Sequence, residues 1–203
     1  MQTVPRDLRE EVAALKKARI IKAAVELFNS NGYENTTLEE IAQILGVTKP
    51  FIYAHFKSKV KLLGEICAYG ITSSQDALQS VLKLDKSPYE KLKLFGGRFS
   101  LAVLEGHKQI AIFNREEKNL LPEDLEAINM MRRDFDRDLT NLLREGIKAG
   151  QFDIDDPHLA ALSIGVLVSW SYVWYRKDGR LTQDDLADRM TTLILNLVVA
   201  KPG

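Results

Sequence analysis

The sequence predicts an all-α fold, and three observations support this prediction. Apolar residues recur every three or four positions along the chain, which is the spacing of one helix face. No stretch keeps the apolar-polar alternation of a half-buried strand. Capping residues, glycines and prolines divide the chain into segments of helical length. We therefore expect about nine helices.

The first helix is predicted from apolar positions that share one face. These positions are Ile20, Ala23, Ala24, Leu27 and Phe28. Asn31 and Gly32 follow, and glycine just after an apolar run is a typical helix stop.

Two short helices are predicted next. Thr37 and Glu40 have the spacing of a capping box, which marks a helix start, and Gly46 ends that helix. Thr48 can cap a second helix, where Pro50 is tolerated because the first turn needs no intrahelical N–H. Two short helices joined by a tight glycine turn are typical of a helix-turn-helix.

The later helices are also predicted from their caps and stops. They run from Ser58 towards Leu84, from Ser87 onwards, from Pro122 to Gly150, from Asp156 to the Arg176-Lys177 pair, and from Thr182 onwards. The second of these contains Gly96-Gly97, which predicts a kink or a close approach to another helix.

The longest uncharged run, Leu159 to Tyr175, has 17 residues, close to the lower limit of a membrane span. Serines, Gly165 and tyrosine hydroxyls interrupt it, and no second apolar segment of this length exists. A buried helix is therefore favoured over a membrane segment, and we expect no membrane partner.

Composition favours a globular protein of the cytoplasm. The chain has 203 residues, 45% of them hydrophobic, which is enough for a core. Its single cysteine, Cys67, excludes an internal disulfide, no Cys or His pairs suggest a metal site, and the charged first residues do not resemble a secretory signal. The net charge is zero, but residues 1–64 carry 10 Lys and Arg against 7 Asp and Glu. This modest positive excess weakly favours DNA as a partner of the N-terminal part.

The segment from Gly32 to Leu63 carries a specific set of motifs. They are Gly32-Tyr33, Thr36-Thr37, Ile41-Ala42, Gly46-Val47, Tyr53, His55-Phe56 and Lys57-Ser58-Lys59. Together they resemble the DNA-binding domain of the tetracycline-repressor (TetR/AcrR) family of transcriptional regulators. The resemblance implies a DNA-binding domain over residues 1–60 and a helical effector-binding and dimerisation domain over residues 61–203.

Residue chemistry divides the expected DNA contacts into two groups. The second helix of such a motif enters the major groove, so its leading turn should meet base edges. That turn holds Thr48, Lys49, Pro50 and Phe51. Phosphate contacts are expected from residues with hydroxyl or cationic groups beside it: Thr37, Tyr53, His55, Lys57, Lys59 and Lys61. Tyr53 and His55, taken singly, could equally be packing residues.

Lys61 marks a departure from the family, in which acidic residues usually follow the Ser-Lys pair. Lys59 and Lys61 thus lie in a first helical turn, where the helix dipole disfavours cations. A nearby anion such as phosphate would remove the conflict, and a tolerated surface mismatch is the alternative. Ser58 and Lys61 have the spacing of a Ser-Lys nucleophile, but no partner motifs accompany them. We expect neither an enzyme nor a cofactor.

The family resemblance further implies a homodimer in which the last two long helices of each subunit form a four-helix bundle. The uncharged helix is apolar all round, which a monomer surface would not tolerate. The expected dimer residues are Ile164, Val168, Met190, Leu193 and Leu197.

Effector pockets in this family lie among the middle helices. The aromatic and apolar residues expected there are Phe95, Phe99, Val103, Phe113, Met131, Phe135, Trp170 and Trp174, although any of them could be core instead. The sensor half more loosely resembles regulators of fatty-acid and steroid catabolism that respond to acyl-coenzyme A. That resemblance rests on Arg115-Glu116 with Asn119-Leu120, Glu145-Gly146-Ile147 with Gly150-Gln151-Phe152, and Trp174-Tyr175-Arg176 with Gly179-Arg180-Leu181.

Coenzyme A phosphates would need cations, for which Arg133, Arg137 and Arg176 are candidates. In the alternative, Asp134, Asp136 and Asp138 neutralise the arginines on a solvated helix face. The sequence thus predicts a repressor that binds a palindromic operator in double-stranded DNA and is released by a small hydrophobic effector, with acyl-coenzyme A as a candidate. A helical adaptor, or a DNA-packaging protein without a ligand, is the alternative.

Overall fold

The computed structural model describes residues 6–199 of the chain. Its α-helices are α1 (Arg6–Asn31), α2 (Leu38–Leu45), α3 (Lys49–Tyr53), α4 (Lys59–Leu82), α5 (Pro88–Glu105), α6 (His107–Glu116), α7 (Pro122–Lys148), α8 (Pro157–Ser169), α9 (Ser171–Trp174) and α10 (Gln183–Val198). A 3-10 turn, Glu117–Asn119, joins α6 to the Leu120-Leu121 linker before α7. No strand occurs among residues 6–199, and the all-α prediction is confirmed.

The chain divides into two compact units. The described residues up to Cys67, together with Ala111–Leu125, form the first unit. Ala68–Ile110 and the described residues from Glu126 onwards form the second. This division differs from a single break near residue 60, because a later segment of the chain joins the first unit.

Helix ends in the first unit follow the local signals. The Thr37 hydroxyl accepts a hydrogen bond from the Glu40 N–H at 3.2 Å, and the Glu40 carboxylate accepts one from the Thr37 N–H at 2.7 Å, so the capping box is present. Gly46 ends α2 with a φ of 65°, a left-handed conformation that glycine adopts at no steric cost. Thr48 stands at the N-cap of α3, but its hydroxyl makes no capping hydrogen bond.

The core of the first unit is aliphatic and aromatic. Its largest fully buried side chains are Ile20, Phe28, Ile41, Ile52, Phe56, Leu62, Leu63 and Ile66. They come from α1, α2, α3, the α3–α4 linker and the start of α4, so burying them fixes these helices against one another. The Phe28 and Tyr33 rings add an edge-to-face contact with centroids 5.2 Å apart.

The second unit is built on a close contact between α5 and α10. A Cβ placed on Gly96 would lie 2.9 Å from the Thr191 hydroxyl oxygen and 3.1 Å from its Cα, so only glycine fits there without a shift. The glycine pair thus marks a close approach, one of the two alternatives that the sequence left open, and α5 continues through it.

The uncharged helix is shorter than predicted. It ends at Ser169, and after Trp170 the chain forms the separate four-residue helix α9. The Ser169 hydroxyl donates to the Gly165 carbonyl at 2.7 Å, a back-bond that competes with the regular helix pattern. Within residues 6–199, no helix combines the length and the apolar character that a membrane crossing requires.

Candidate nucleic-acid interface

The helix-turn-helix exposes the leading turn of its second helix. Ile41 and Ile52 are fully buried, which anchors one side of α2 and of α3 in the core. Thr48, Lys49 and Pro50 lie on the opposite, exposed side, as base-reading residues must. The arrangement presents a short, rigid edge that matches the predicted recognition helix.

Lys49 pairs with Glu39 of α2. The pair lowers the pKa of the Glu39 carboxyl and raises that of the Lys49 ammonium through their shared hydrogen bond. Both side chains are about half exposed, so the pair contributes little stability and breaks at low cost. The Lys49 ammonium also lies 5.6 Å from the Tyr53 ring centroid. A guanine acceptor could therefore replace Glu39 as its partner.

Lys59 holds the loop before α2. Its ammonium donates to the carbonyls of Tyr33 at 2.8 Å, Thr36 at 2.9 Å and Glu34 at 3.3 Å. It also lies 4.3 Å from the Tyr33 ring centroid. All three ammonium protons thus have acceptors within the protein, which counts against the predicted phosphate contact.

Lys61 also forms ion pairs with carboxylates of the protein itself. Its ammonium lies 3.1 Å from an oxygen of Glu123 and 3.1 Å from one of Asp124, and these bonds raise its pKa. The conflict with the α4 dipole is therefore offset by two carboxylates at the start of α7 rather than by phosphate. The sequence could not reveal this pairing because the partners lie some sixty residues away.

The other predicted phosphate ligands differ in availability. Lys57 is exposed, Tyr53 is 43% exposed, and His55 is half-buried against the Phe51 ring, with centroids 5.2 Å apart. The Thr37 hydroxyl is engaged in the capping box, so a phosphate would have to meet backbone N–H groups there.

Two lysines on α1, which the sequence analysis did not single out, flank the motif. The Lys16 ammonium lies 5.8 Å from the Phe51 ring centroid. The Lys17 ammonium lies 5.5 Å from the Phe56 ring centroid and 2.8 Å from a Glu65 carboxylate oxygen. The sequence alone does not show which residues two adjacent lysines in a charged helix will face.

Cys67 is buried within the first unit. Burial raises the pKa of its thiol to about 12, with smaller contributions from the negative charges of Glu116 and Glu117. Glu116 is itself buried, and it accepts from Arg115 and Asn119, both at 2.9 Å.

The predicted effector residues do not form one group. Phe95, Phe99, Val103 and Phe135 are buried in the core of the second unit, where the first two rings stack at 5.1 Å. Phe113 is buried in the first unit. Met131 is partly buried, and Trp170 and Trp174 are 57% and 49% exposed.

The three candidate arginines have acidic partners. Arg133 pairs with Glu126 at 2.6 Å, Arg137 with Asp134 and Asp138, and Arg176 with Asp178 at 3.4 Å. For Arg137 this is the alternative in which neighbouring aspartates neutralise the helix face. Asp138 also accepts from Gln75 at 3.1 Å and Gln79 at 2.7 Å, residues that sequence reasoning missed.

Three of the five predicted dimer residues are buried within the subunit. Ile164 and Val168 are fully buried, and Met190 is 3% exposed, which counts against a direct contact with a partner subunit. Leu193 and Leu197 are 47% and 50% exposed and remain candidates. Because the uncharged helix is apolar on every side, the sequence does not distinguish its inner face from its outer one.

The exposed apolar side chains of α8, α9 and α10 are further candidates for the dimer interface. They are Leu159, Leu162, Val166, Trp170, Val173 and Trp174 on α8, the Trp170 junction and α9, and Leu193 and Leu197 on α10. We call these eight residues the apolar face.

Comparison with known proteins gives two family matches. Residues 20–66 match the N-terminal domain of bacterial regulatory proteins of the tetR family, and residues 85–198 match a tetracyclin repressor-like C-terminal domain.

Full-length relatives agree with these matches. The transcriptional repressor KstR2 of Mycolicibacterium smegmatis is 26% identical over 94% of both chains. The fatty acid metabolism regulator protein of Bacillus subtilis is 30% identical over 89% of this chain and 94% of its own. The crystal structure of AibR in complex with isovaleryl coenzyme A and operator DNA superposes with a TM-score of 0.74 at 29% identity, covering 88% of this chain and 97% of AibR.

Proposed function

The chain belongs to the TetR family of bacterial regulatory proteins, and from this premise we propose that it is a homodimeric repressor that binds a palindromic operator. The observation that most directly supports this proposal is the exposed leading turn Thr48-Lys49-Pro50, which the buried Ile41 and Ile52 hold in place. A rigid short helix with an exposed first turn is what major-groove recognition needs.

Two copies would give the protein its specificity. Two recognition helices related by a two-fold axis read two half-sites centred about one helical turn, or a multiple of it, apart. The apolar face supports self-association, because so many exposed apolar side chains on adjoining segments are unusual on a monomer.

Fluorescence anisotropy with labelled duplexes tests the DNA-binding proposal. The operator is first found by footprinting on the DNA beside the coding sequence. The wild-type protein is then titrated with operator and with a scrambled duplex at several salt concentrations. A sequence-specific repressor keeps a ratio of ~10³ or more between the two affinities at physiological salt. A packaging protein loses both affinities together, and that result, or a footprint on one unpaired site, would contradict the proposal.

For the effector, we propose an acyl-coenzyme A thioester. Support comes from the relatives, since one is named a fatty acid metabolism regulator and AibR was solved with isovaleryl coenzyme A. In this chain, the core of the second unit contains the aromatic cluster Phe95, Phe99 and Phe135, which suits an acyl chain if the packing opens. The pairing of Arg133 and Arg137 with carboxylates means that coenzyme A phosphates would have to displace those partners.

Release of DNA requires that the effector bind two conformations of the dimer with different free energies. We place the shift in α4, which begins in the first unit and ends in the second. A displacement of a few ångströms in the separation of the recognition helices would lose one half-site.

Calorimetry with a panel of acyl-coenzyme A thioesters, with and without operator, tests the effector proposal. We expect long-chain or ring-containing thioesters to weaken operator binding with a coupling free energy of ~1 to 3 kcal/mol, and operator to weaken thioester binding by the same factor. Free coenzyme A is the control and should have no effect. Binding by no thioester would contradict the effector class, whereas binding without a change in DNA affinity would contradict the coupling.

A further inference from the structure

The first half of α1 extends beyond the core of the first unit. From residue 10 onwards, where side chains are described, Ile20 is the first fully buried side chain of the helix, and nearly all side chains from residue 10 to residue 19 are exposed. At 1.5 Å per residue, the fourteen helical residues before Ile20 span roughly 21 Å. Because the described side chains from residue 10 to residue 19 bury little apolar surface, packing adds little stability to this part of α1.

Lys16 connects this extension to the recognition helix. Its ammonium lies 5.8 Å from the ring centroid of Phe51, a residue of the leading turn of α3. The same ring meets His55 at 5.2 Å. Lys16, Phe51 and His55 thus form a row of cation, ring and imidazole beside the exposed Thr48-Lys49-Pro50 turn. A cation–π contact at such an exposed site is weak, so it orients Lys16 without occupying its donors.

The neighbouring Lys17, in contrast to Lys16, is paired with a carboxylate of the first unit. Its ammonium is 2.8 Å from a Glu65 carboxylate oxygen, and its charge is thereby neutralised within the first unit. Lys16 is exposed and takes part in none of the ion pairs found in the described part of the chain. Its ammonium group therefore lies, unlike that of Lys17, beside the edge that faces DNA in the proposed function and outside the ion pairs of the first unit.

We propose that Lys16 binds a DNA phosphate that flanks the bases met by α3, as a contact from outside the helix-turn-helix. This inference rests on the proposed DNA-binding function. A phosphate is the expected partner because Lys16 approaches from a different helix, at the side of the reading turn, and flanking cations meet the backbone before they reach base edges. The contact therefore adds affinity for DNA of any sequence.

The test measures the salt dependence of DNA binding for Lys16→Ala and for the control Lys22→Ala. Lys22 is an exposed lysine on the same helix, and it borders a separate groove formed with Ile44 and Leu45. Removal of one phosphate contact should reduce the slope of log K against log salt by about 0.9 per bound subunit. If the variant and the wild type bind DNA equally at 1 M salt, the variant should bind roughly eightfold more weakly than the wild type at 0.1 M salt. The loss should be equal for operator and scrambled DNA.

Each outcome bears on the proposal. A reduced slope for Lys16→Ala, with Lys22→Ala and Lys16→Arg close to wild type, supports the phosphate contact. An unchanged slope for Lys16→Ala overturns it, and so does an equal reduction in Lys22→Ala, because that would reflect net charge alone. Failure of the wild-type protein to bind DNA at all would instead overturn the proposed function. Circular dichroism melts of all variants should match, since both lysines are exposed.

Discussion

At the scale of single residues, the lysines of the motif divide into two kinds. Lys49 is held by one exposed carboxylate that DNA can displace, whereas Lys59 is tied to three backbone carbonyls. Sequence reasoning placed both at the interface, because residue type and motif position are the same whether an ammonium group points outward or into a loop. The structure gives them different expected phenotypes.

Lys49→Ala should weaken operator binding by ~1 to 3 kcal/mol and relax the preference at one base pair per half-site, because a base-edge contact is lost. Anisotropy titrations with operators substituted at each position measure both effects. Glu39→Gln is the control, since it removes the partner and leaves the lysine, and should retain operator affinity. An equal loss on all sequences for Lys49→Ala would show that this residue contacts phosphate instead.

Lys59→Ala should lower the free energy of unfolding by ~1.5 to 3 kcal/mol, because charged hydrogen bonds to the Tyr33, Glu34 and Thr36 carbonyls are lost. Urea denaturation measures the change. Lys57→Ala, an exposed neighbour, should stay within ~0.5 kcal/mol of wild type. If Lys59→Ala proved as stable as wild type but flattened the salt slope of DNA binding, the phosphate role predicted from the sequence would stand.

At the scale of helices, local signals located most of the ends but not the end of the uncharged helix, and they did not resolve its inner face. Capping boxes and glycine stops act through neighbouring backbone groups, so Thr37, Gly46 and Gly150 could be assigned from the sequence. Which side of α8 faces inward depends on the helices that pack against it. Because α8 is apolar on every side, its sequence does not show which side that is. The partners of Lys61 could not be identified from the sequence either, because they too depend on how distant segments pack together.

The glycine pair in α5 supplies a matched test of the packing against α10. Gly96→Ala should destabilise the protein by roughly 1 to 2 kcal/mol, because overpacking against Thr191 outweighs the gain in helix propensity. Gly97→Ala meets its nearest atom at 3.8 Å, so it should be neutral or stabilise by up to ~1 kcal/mol. Thermal and urea melts compare the two variants. Equal effects would contradict the close approach.

At the scale of the whole molecule, the family match determines which regions should meet DNA and a second subunit, and the structure refines which side chains can do so. Dimerisation was predicted from the resemblance, and the apolar face has exposed side chains that could associate. Of the predicted dimer residues, Leu193 and Leu197 are the two that are exposed on this face, and their place in a dimer interface stays a prediction.

Leu193→Asp should shift the protein from dimer to monomer, since burying an unpaired carboxylate in an apolar interface costs several kcal/mol. Sedimentation velocity across a concentration series measures the shift. Ile44→Asp is the control, because Ile44 is 61% exposed on α2 and lies outside the apolar face. A Leu193→Asp protein that associates as tightly as wild type would place the interface elsewhere.

The burial of Cys67 has a consequence for how the first unit can be observed. Its thiol has a pKa of about 12 and little access to solvent, so an alkylating reagent at neutral pH meets almost no thiolate while the unit is closed. Alkylation then proceeds only through transient opening, and its rate reports the opening equilibrium when closing is fast. Because a ligand that binds only the closed state reduces opening by the factor 1 + [L]/Kd, operator DNA should protect this single cysteine without touching it.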